Sequence, residues 1–238
     1  MPARKRIPDS SATDGPPART RLSTERVLAA ALQLLDAEGA EALTMRRLAQ
    51  ALDREPMTLY RYARNKSALV DGVVQLVLDE LDIDPAAADW RGELRTLATD
   101  FRRLALAHPH VVPLLATRPP ATPLGLHPPG TLRPLENFLQ LLINAGFTRT
   151  DALVAYRVFF GFLHGHILSE LQESVENPAE TEDLLRLSLH RLDPEEFPQL
   201  RALATALTDY DGATQLHQGV ETMITGLHAH FQVTPPPA

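Results

Sequence analysis

"DREPMTLYRYARNK", residues 53–66, gathers four Arg/Lys, two acids and two tyrosines into one short stretch. The chain around it is acidic, with a formal net charge of −7 over 238 residues. The imbalance is regional. Residues 1–66 hold 12 Lys/Arg against 8 Asp/Glu, and residues 67–238 hold 11 against 22. A basic head on an acidic body points to a polyanion that meets the head alone, unless the composition is merely uneven.

The local chemistry of the stretch is helical. Pro56 suits the first turn of a short helix, and Glu55 before it is biased to extended geometry. This predicts a helix over Pro56–Tyr62. Asp53 tolerates the left-handed conformation that a tight turn requires. Upstream, Thr44 is an N-cap with Leu43 and Leu48 as its hydrophobic staple, for a helix ending near Leu52. Further back, Ser23 caps a longer helix with Leu22 and Val27 as the staple. Its face carries Val27, Ala31, Leu34 and Leu35, and Gly39 stops it. A fourth helix is predicted from Lys66 to about Leu81. Two short helices joined by a tight turn and braced by a longer one make a helix-turn-helix unit. The second helix of such a pair enters the major groove.

The side chains suit DNA. Arg46 and Arg47 open the helix that braces the reading helix. Thr58, Tyr60, Arg61, Tyr62, Arg64 and Lys66 offer hydroxyl or cationic contacts to phosphates. Lys66 also opens the next helix, whose backbone N–H groups can cradle a phosphate. Pro56 and Met57 have no side-chain donor and suit thymine methyls, and Arg46 suits a bidentate guanine contact. The same arginines also fit a solvated face. Leu48, Ala49, Leu52 and Leu59 read as core, and Tyr60 fits either core or thymine.

The stretch "LTMRRLAQALDREPMTLYRYARNKSALVDGV", residues 43–73, resembles the DNA-binding domain of the TetR family of bacterial repressors, without gaps and back to Ser23. The resemblance implies base contact from Arg46, with Pro56, Met57 and Tyr60 facing bases. It implies phosphate contact from Thr58, Arg61, Tyr62 and Lys66. Thr44, at the cap, joins the DNA-facing set. Asp53 stands where glycine is usual, and Pro56 replaces a common side-chain donor, so the operator sequence does not carry over.

The rest of the chain reads as longer helices. Leu94, Leu97, Phe101 and Leu104 form one stripe. Leu132, Leu135, Leu139 and Leu142 form another, ending at Gly146. A nearly all-apolar helix runs from about Thr150 to Glu173. It is long enough to be mistaken for a membrane span, but Arg157 inside it favours a core or interface helix. Asn177–Pro198 reads as a loop with a short helix, and a last helix carries Leu216, Val220, Met223, Leu227 and Phe231. The expected organisation is all-α: a tail at 1–22, a DNA-binding domain at 23–68, a ligand-binding and dimerisation domain at 69–232, and a tail at 233–238. The "RKR" at 4–6 suits phosphates or plain solvent.

This second part also resembles the family's ligand-binding core, in the branch with the tetracycline repressors. That resemblance implies a homodimer on a palindromic operator, released by a small-molecule effector. The tetracycline repressors use a histidine and a glutamate on their central dimerisation helix. Aligned through "LHGHILSE", those places fall on Gly161 and Ser169, which speaks against a magnesium–tetracycline ligand. Gly161 and Gly165 share a helix face and permit close approach of a second copy. With Leu216, Val220, Met223 and Leu227 of the last helix they are the expected dimer interface. Trp90, Phe101, His108, His110, Phe138, Tyr156, Phe160 and His164 are the expected ligand-site lining, each also compatible with plain core.

The 238 residues include no cysteine, which excludes disulfides and thiolate chemistry. The histidine pairs 108/110, 164/166 and 228/230 do not share a helix face, so neither a metal nor a cofactor is expected. No hydrolase, P-loop or dinucleotide motif suggests an enzyme. The first residues lack a signal-peptide core, so a cytoplasmic protein without membrane contact is expected. The remaining alternative is a small-molecule-binding helical dimer without DNA-binding activity.

Overall fold

The computed structural model of the chain describes residues 21–117, 129–175, 184, 187–209 and 211–231. Among them every regular element is a helix. Most of both expected tails, with the motif at 4–6, lies outside the described residues.

The first four helices follow their caps. α1 spans Thr24–Ala42, and the Ser23 hydroxyl accepts from the Arg26 N–H at 3.2 Å. Gly39, at φ +81°, breaks its helical geometry where the sequence placed the stop. α2 spans Met45–Ala51 and is capped by Thr44, whose Oγ1 accepts from the Arg47 N–H at 3.1 Å. Asp53 then turns the chain at φ +51°, the one non-glycine positive φ among the described residues. α3 covers only Pro56–Leu59. Tyr62 N–H instead makes a tighter bond to the Leu59 carbonyl at 2.8 Å, so the predicted extension to Tyr62 is a series of turns. The reason lies just ahead: Asn65 leaves the helical region to cap α4, accepting from the Ala68 N–H at 2.8 Å. α4 spans Lys66–Leu78, a turn short of the predicted Leu81.

These helices close on a small core. Val27, Ala31, Leu34 and Leu35 of α1 are buried with Leu48, Ala49, Leu59, Leu69, Val70 and Val73. Leu48, Ala49 and Leu59 therefore serve as core, as the sequence suggested, while Leu52 is half-buried.

The remaining helices build around one long element. α5 spans Trp90–Ala107, α6 Val112–Thr117, α7 Pro129–Asn144, α8 Arg149–Val175, α9 Pro198–Ala202, α10 Ala204–Thr208 and α11 Gly212–Phe231. α8 packs against α5, α7 and α11, burying Ala152, Ala155, Phe159, Leu163 and Ile167. α6 packs on it as well, so its apolar composition serves four neighbours inside one chain. α6, α9 and α10 were not read from the sequence, each being too short to show a period. In α7 the buried face is Phe138, Leu141 and Leu142, and Leu132, Leu135 and Leu139 are only half-buried.

α11 turns most of its expected interface residues inward. Leu216, Val220 and Leu227 turn inward against α5 and α8 and are buried within the protomer, with Met223 half-buried. A Cβ at Gly219 would overlap the Phe162 ring, so this glycine allows α11 to approach α8 of its own chain.

Candidate nucleic-acid interface and effector core

The reading helix presents apolar surface to solvent. Met57 is 76% exposed and Tyr60 45%, at positions where a folded protomer normally covers such side chains. Pro56 and Thr58 are half-buried beside them. Pro56 supplies the φ of the first turn and lacks an N–H, so it costs α3 no hydrogen bond. The two exposed residues lie three apart, hence on one side of the turn. Their surface fits thymine methyls and offers no base-reading donor except the Tyr60 hydroxyl.

The structure separates the cations of this region. The exposed side chains of Arg46 and Arg61 have no hydrogen bond or ion pair with any described residue. Arg47 is held by Glu38 of α1 through Nε at 3.2 Å and through Nη2. Lys66 Nζ donates to the Ala40 carbonyl at 3.0 Å. The Tyr62 hydroxyl donates to the Leu22 carbonyl at 3.1 Å, clamping the end of the reading segment to the entrance of α1. Lys66 and Tyr62 keep further capacity, since an ammonium has three donors and a phenol can also accept. Arg46 keeps its whole guanidinium fork.

Five of the eight expected ligand-site residues come together. Phe160 of α8 lies between Phe101 of α5 at 6.2 Å, Phe138 of α7 at 5.5 Å and Tyr156 at 4.9 Å, centroid to centroid. His164 meets the Phe101 ring at 5.5 Å. Burial lowers the His164 pKa and raises that of Tyr156. Both shifts favour uncharged groups, so the cluster has an aromatic body with two neutral polar tips. The other three do not join it. Trp90 packs edge-on against Phe147 at 5.3 Å, and Phe147 in turn touches Phe231. His110 is exposed. His108 Nδ1 lies 2.8 Å from Asp36 Oδ2 of α1.

That last pair ties the core to the DNA-facing unit. α7 also holds the segment that follows α4: Asn137 donates to the Ile83 carbonyl at 3.2 Å and Asn144 to the Pro85 carbonyl at 2.8 Å. α4 itself packs against α6 and α7. Movement in the core therefore has a physical route to the reading helix.

The sequence reading missed a buried polar joint. Glu170 of α8, 7% exposed, is forked by Arg102 of α5 with Nη2 at 2.5 Å and Nε at 3.0 Å. His166 Nε2 donates to the Gly212 carbonyl at 2.9 Å. A Cβ at Gly212 would overlap the Glu170 carboxylate, so glycine is what lets α11 start there. The signal was a glutamate inside an otherwise apolar helix, with an arginine on an earlier stripe. Their spacing along the chain hid the pairing. Among the described residues no group of His, Asp or Glu is arranged to hold a metal ion.

The outer face of α8 is open. Val154 and Val158 are 41% and 47% exposed, and a Cβ at Gly161 or Gly165 would meet nothing within 4 Å. The two glycines predicted for an interface are thus free of the protomer's own packing.

Comparisons agree with this architecture. Residues 27–73 match the family model for "Bacterial regulatory proteins, tetR family", and residues 84–231 match "Tetracyclin repressor-like, C-terminal domain". An HTH-type transcriptional regulator of Saccharopolyspora erythraea is 28% identical over 87% of this chain and 85% of its own length. The class D tetracycline repressor protein of Escherichia coli is 29% identical over 89% of this chain and 91% of its own. The crystal structure of ActR from Streptomyces coelicolor in complex with actinorhodin superposes with a TM-score of 0.79 at 29% identity, covering 89% of this chain and 98% of ActR. The chain belongs to the TetR family of bacterial transcriptional regulators.

Proposed function

We propose that this chain is a transcriptional repressor that binds a palindromic operator as a homodimer and leaves it when a small molecule occupies its core. The observation that carries this reading is the solvent-facing pair Met57 and Tyr60 beside the free Arg46, mounted on a helix-turn-helix unit. We assign DNA binding to residues 23–68, and effector binding and dimerisation to 69–232. Arg46, Pro56, Met57 and Tyr60 face bases. Thr44, Thr58, Arg61, Tyr62 and Lys66 face phosphates. The protein works in the cytoplasm and acts by binding rather than by turnover.

The effector site is the cluster of Phe101, Phe138, Tyr156, Phe160 and His164. Its edge-on and tilted rings and neutral polar tips suit a planar aromatic compound with a few hydroxyl or carbonyl groups. ActR, with its bound actinorhodin, supports that class. Such a ligand opens the cluster by parting α5, α7 and α8. It releases DNA only if the DNA-incompetent arrangement binds it more tightly. The relatives named as HTH-type regulators favour this reading over a helical dimer without DNA binding.

Selection of DNA from a random library tests it. A palindrome with half-site centres about 34–36 Å apart, or a multiple of that, is expected. No enrichment even at low salt overturns the repressor reading. Actinorhodin and related planar aromatics are then screened for displacement of the selected DNA.

A further inference from the structure

The open face of α8 carries one ionic residue among small and apolar ones. Val154, Val158, Gly161 and Gly165 share this face, with Arg157 among them. Arg157 is exposed, and its guanidinium has no hydrogen bond or ion pair with any described residue. Beside the same face lies a cavity of about 380 Å³, lined by Gly165, His166 and Ser169 of α8, Leu207 of α10 and Gln215 of α11. It lies on the flank of α8 towards α11, away from the aromatic cluster.

The cavity wall is rich in acceptors. His166 is engaged through Nε2 with the Gly212 carbonyl, which leaves ring Nδ1 as its remaining polar atom. Ser169 and Gln215 add a hydroxyl and an amide oxygen. The wall holds no cation of its own. An arginine covered by a partner helix must find acceptors, or its burial is strongly unfavourable. The valines and glycines around Arg157 supply none.

We propose that Arg157 of a second copy of the chain enters this cavity, so that each protomer completes the other. This rests on the reading that the α8 face is a dimer interface. A two-fold axis then makes the insertion twice, identically. The pairing gives the interface a polar anchor and a register that the smooth Val/Gly face does not provide.

Engineered cysteines test it, because the chain has none. Arg157 and Ser169 lie about 18 Å apart along α8, at 1.5 Å per residue. A short bis-maleimide with the reach of an arginine side chain therefore joins Arg157→Cys to Ser169→Cys only between copies. The double variant is expected to give a covalent dimer, and each single variant is not. Arg157→Glu is expected to raise the dimer dissociation constant at least about tenfold by sedimentation. Crosslinking of Arg157→Cys alone overturns the proposal, since the arginines would then meet each other. If the wild type sediments as a dimer, a double-cysteine variant that gives no covalent dimer, or a dissociation constant unchanged by Arg157→Glu, also overturns it. A wild-type chain that sediments as a monomer instead overturns the dimer reading beneath it.

Discussion

Substituting the α8 glycines by alanine separates the protomer from the dimer, because the two respond in opposite directions. Within one chain, a Cβ at Gly161 or Gly165 meets nothing within 4 Å. Alanine there removes a helix-interior glycine at no steric cost, so each folded protomer gains about 0.8–1 kcal/mol. If a second α8 packs on this face, the same methyl meets the partner at a site of close approach. Overpacking typically costs about 1–3 kcal/mol, and the two-fold repeats it, so the dimer loses roughly 2–6 kcal/mol per substitution. The outcome is a more stable protomer and a weaker dimer. Gly219→Ala is the control, since its Cβ would overlap Phe162 inside the protomer and destabilises it at every concentration.

The assay is urea denaturation across a range of protein concentrations, paired with sedimentation equilibrium. Dimer stability depends on concentration and protomer stability does not, so the two contributions separate. Gly161→Ala and Gly165→Ala should raise the dilute-limit stability by about 1 kcal/mol each and raise the dissociation constant more than about tenfold. Variants that are more stable at all concentrations and dimerise as tightly as the wild type would refute the reasoning. The open face of α8 would then be a solvated surface and the dimer contact would lie elsewhere.

Three further outcomes are expected. Arg46→Ala should cost about 1–3 kcal/mol on the selected operator and relax preference at one base position, measured by fluorescence anisotropy, and equal losses on operator and random DNA would contradict a base-reading role. Glu170→Ala removes the buried carboxylate that Arg102 forks and should destabilise the fold by about 1.5–3 kcal/mol in chemical denaturation, where a change under about 1 kcal/mol would show that the fork contributes little to the fold. His164, whose folded pKa lies below its ordinary 6.5, binds a proton more readily in the unfolded chain, so acidification below pH 6.5 should lower stability until the folded value is passed. His164→Phe should flatten that acid limb of the melting temperature, and an unchanged limb would assign it to other groups.

What could be read in advance was what adjacent residues decide. Ser23 and Thr44 cap their helices because the hydroxyl bonds an N–H three residues on, and both are visible in a short window. The left-handed Asp53 follows from an acid in a turn between two helices, and the core roles of Leu48 and Leu59 follow from the staple and the period. What could not be read was how the chain returns on itself. Arg102 and Glu170 are 68 positions apart, and His108 and Asp36 are 72 apart. Nothing local couples them. The cations of the DNA face show the same limit: Arg46 and Arg47 are chemically equal neighbours, but only Arg47 points back to Glu38.

The last helix shows why an apolar stripe alone does not name an interface. Periodicity says that Leu216, Val220 and Leu227 are covered, not by which chain. Here they are covered by the protomer's own α5 and α8. The residues that remain open to a second copy are Gly161, Gly165 and Arg157, with Val154 and Val158 beside them. The DNA face obeys the same rule in reverse. Met57, at 76% exposure, is the most exposed of the large apolar side chains that the fold leaves uncovered among the described residues. An uncovered methionine on a reading helix and uncovered glycines on a core helix each mark surface left for a molecule outside the chain. On the function proposed above, that molecule is DNA for Met57 and a second copy for the glycines.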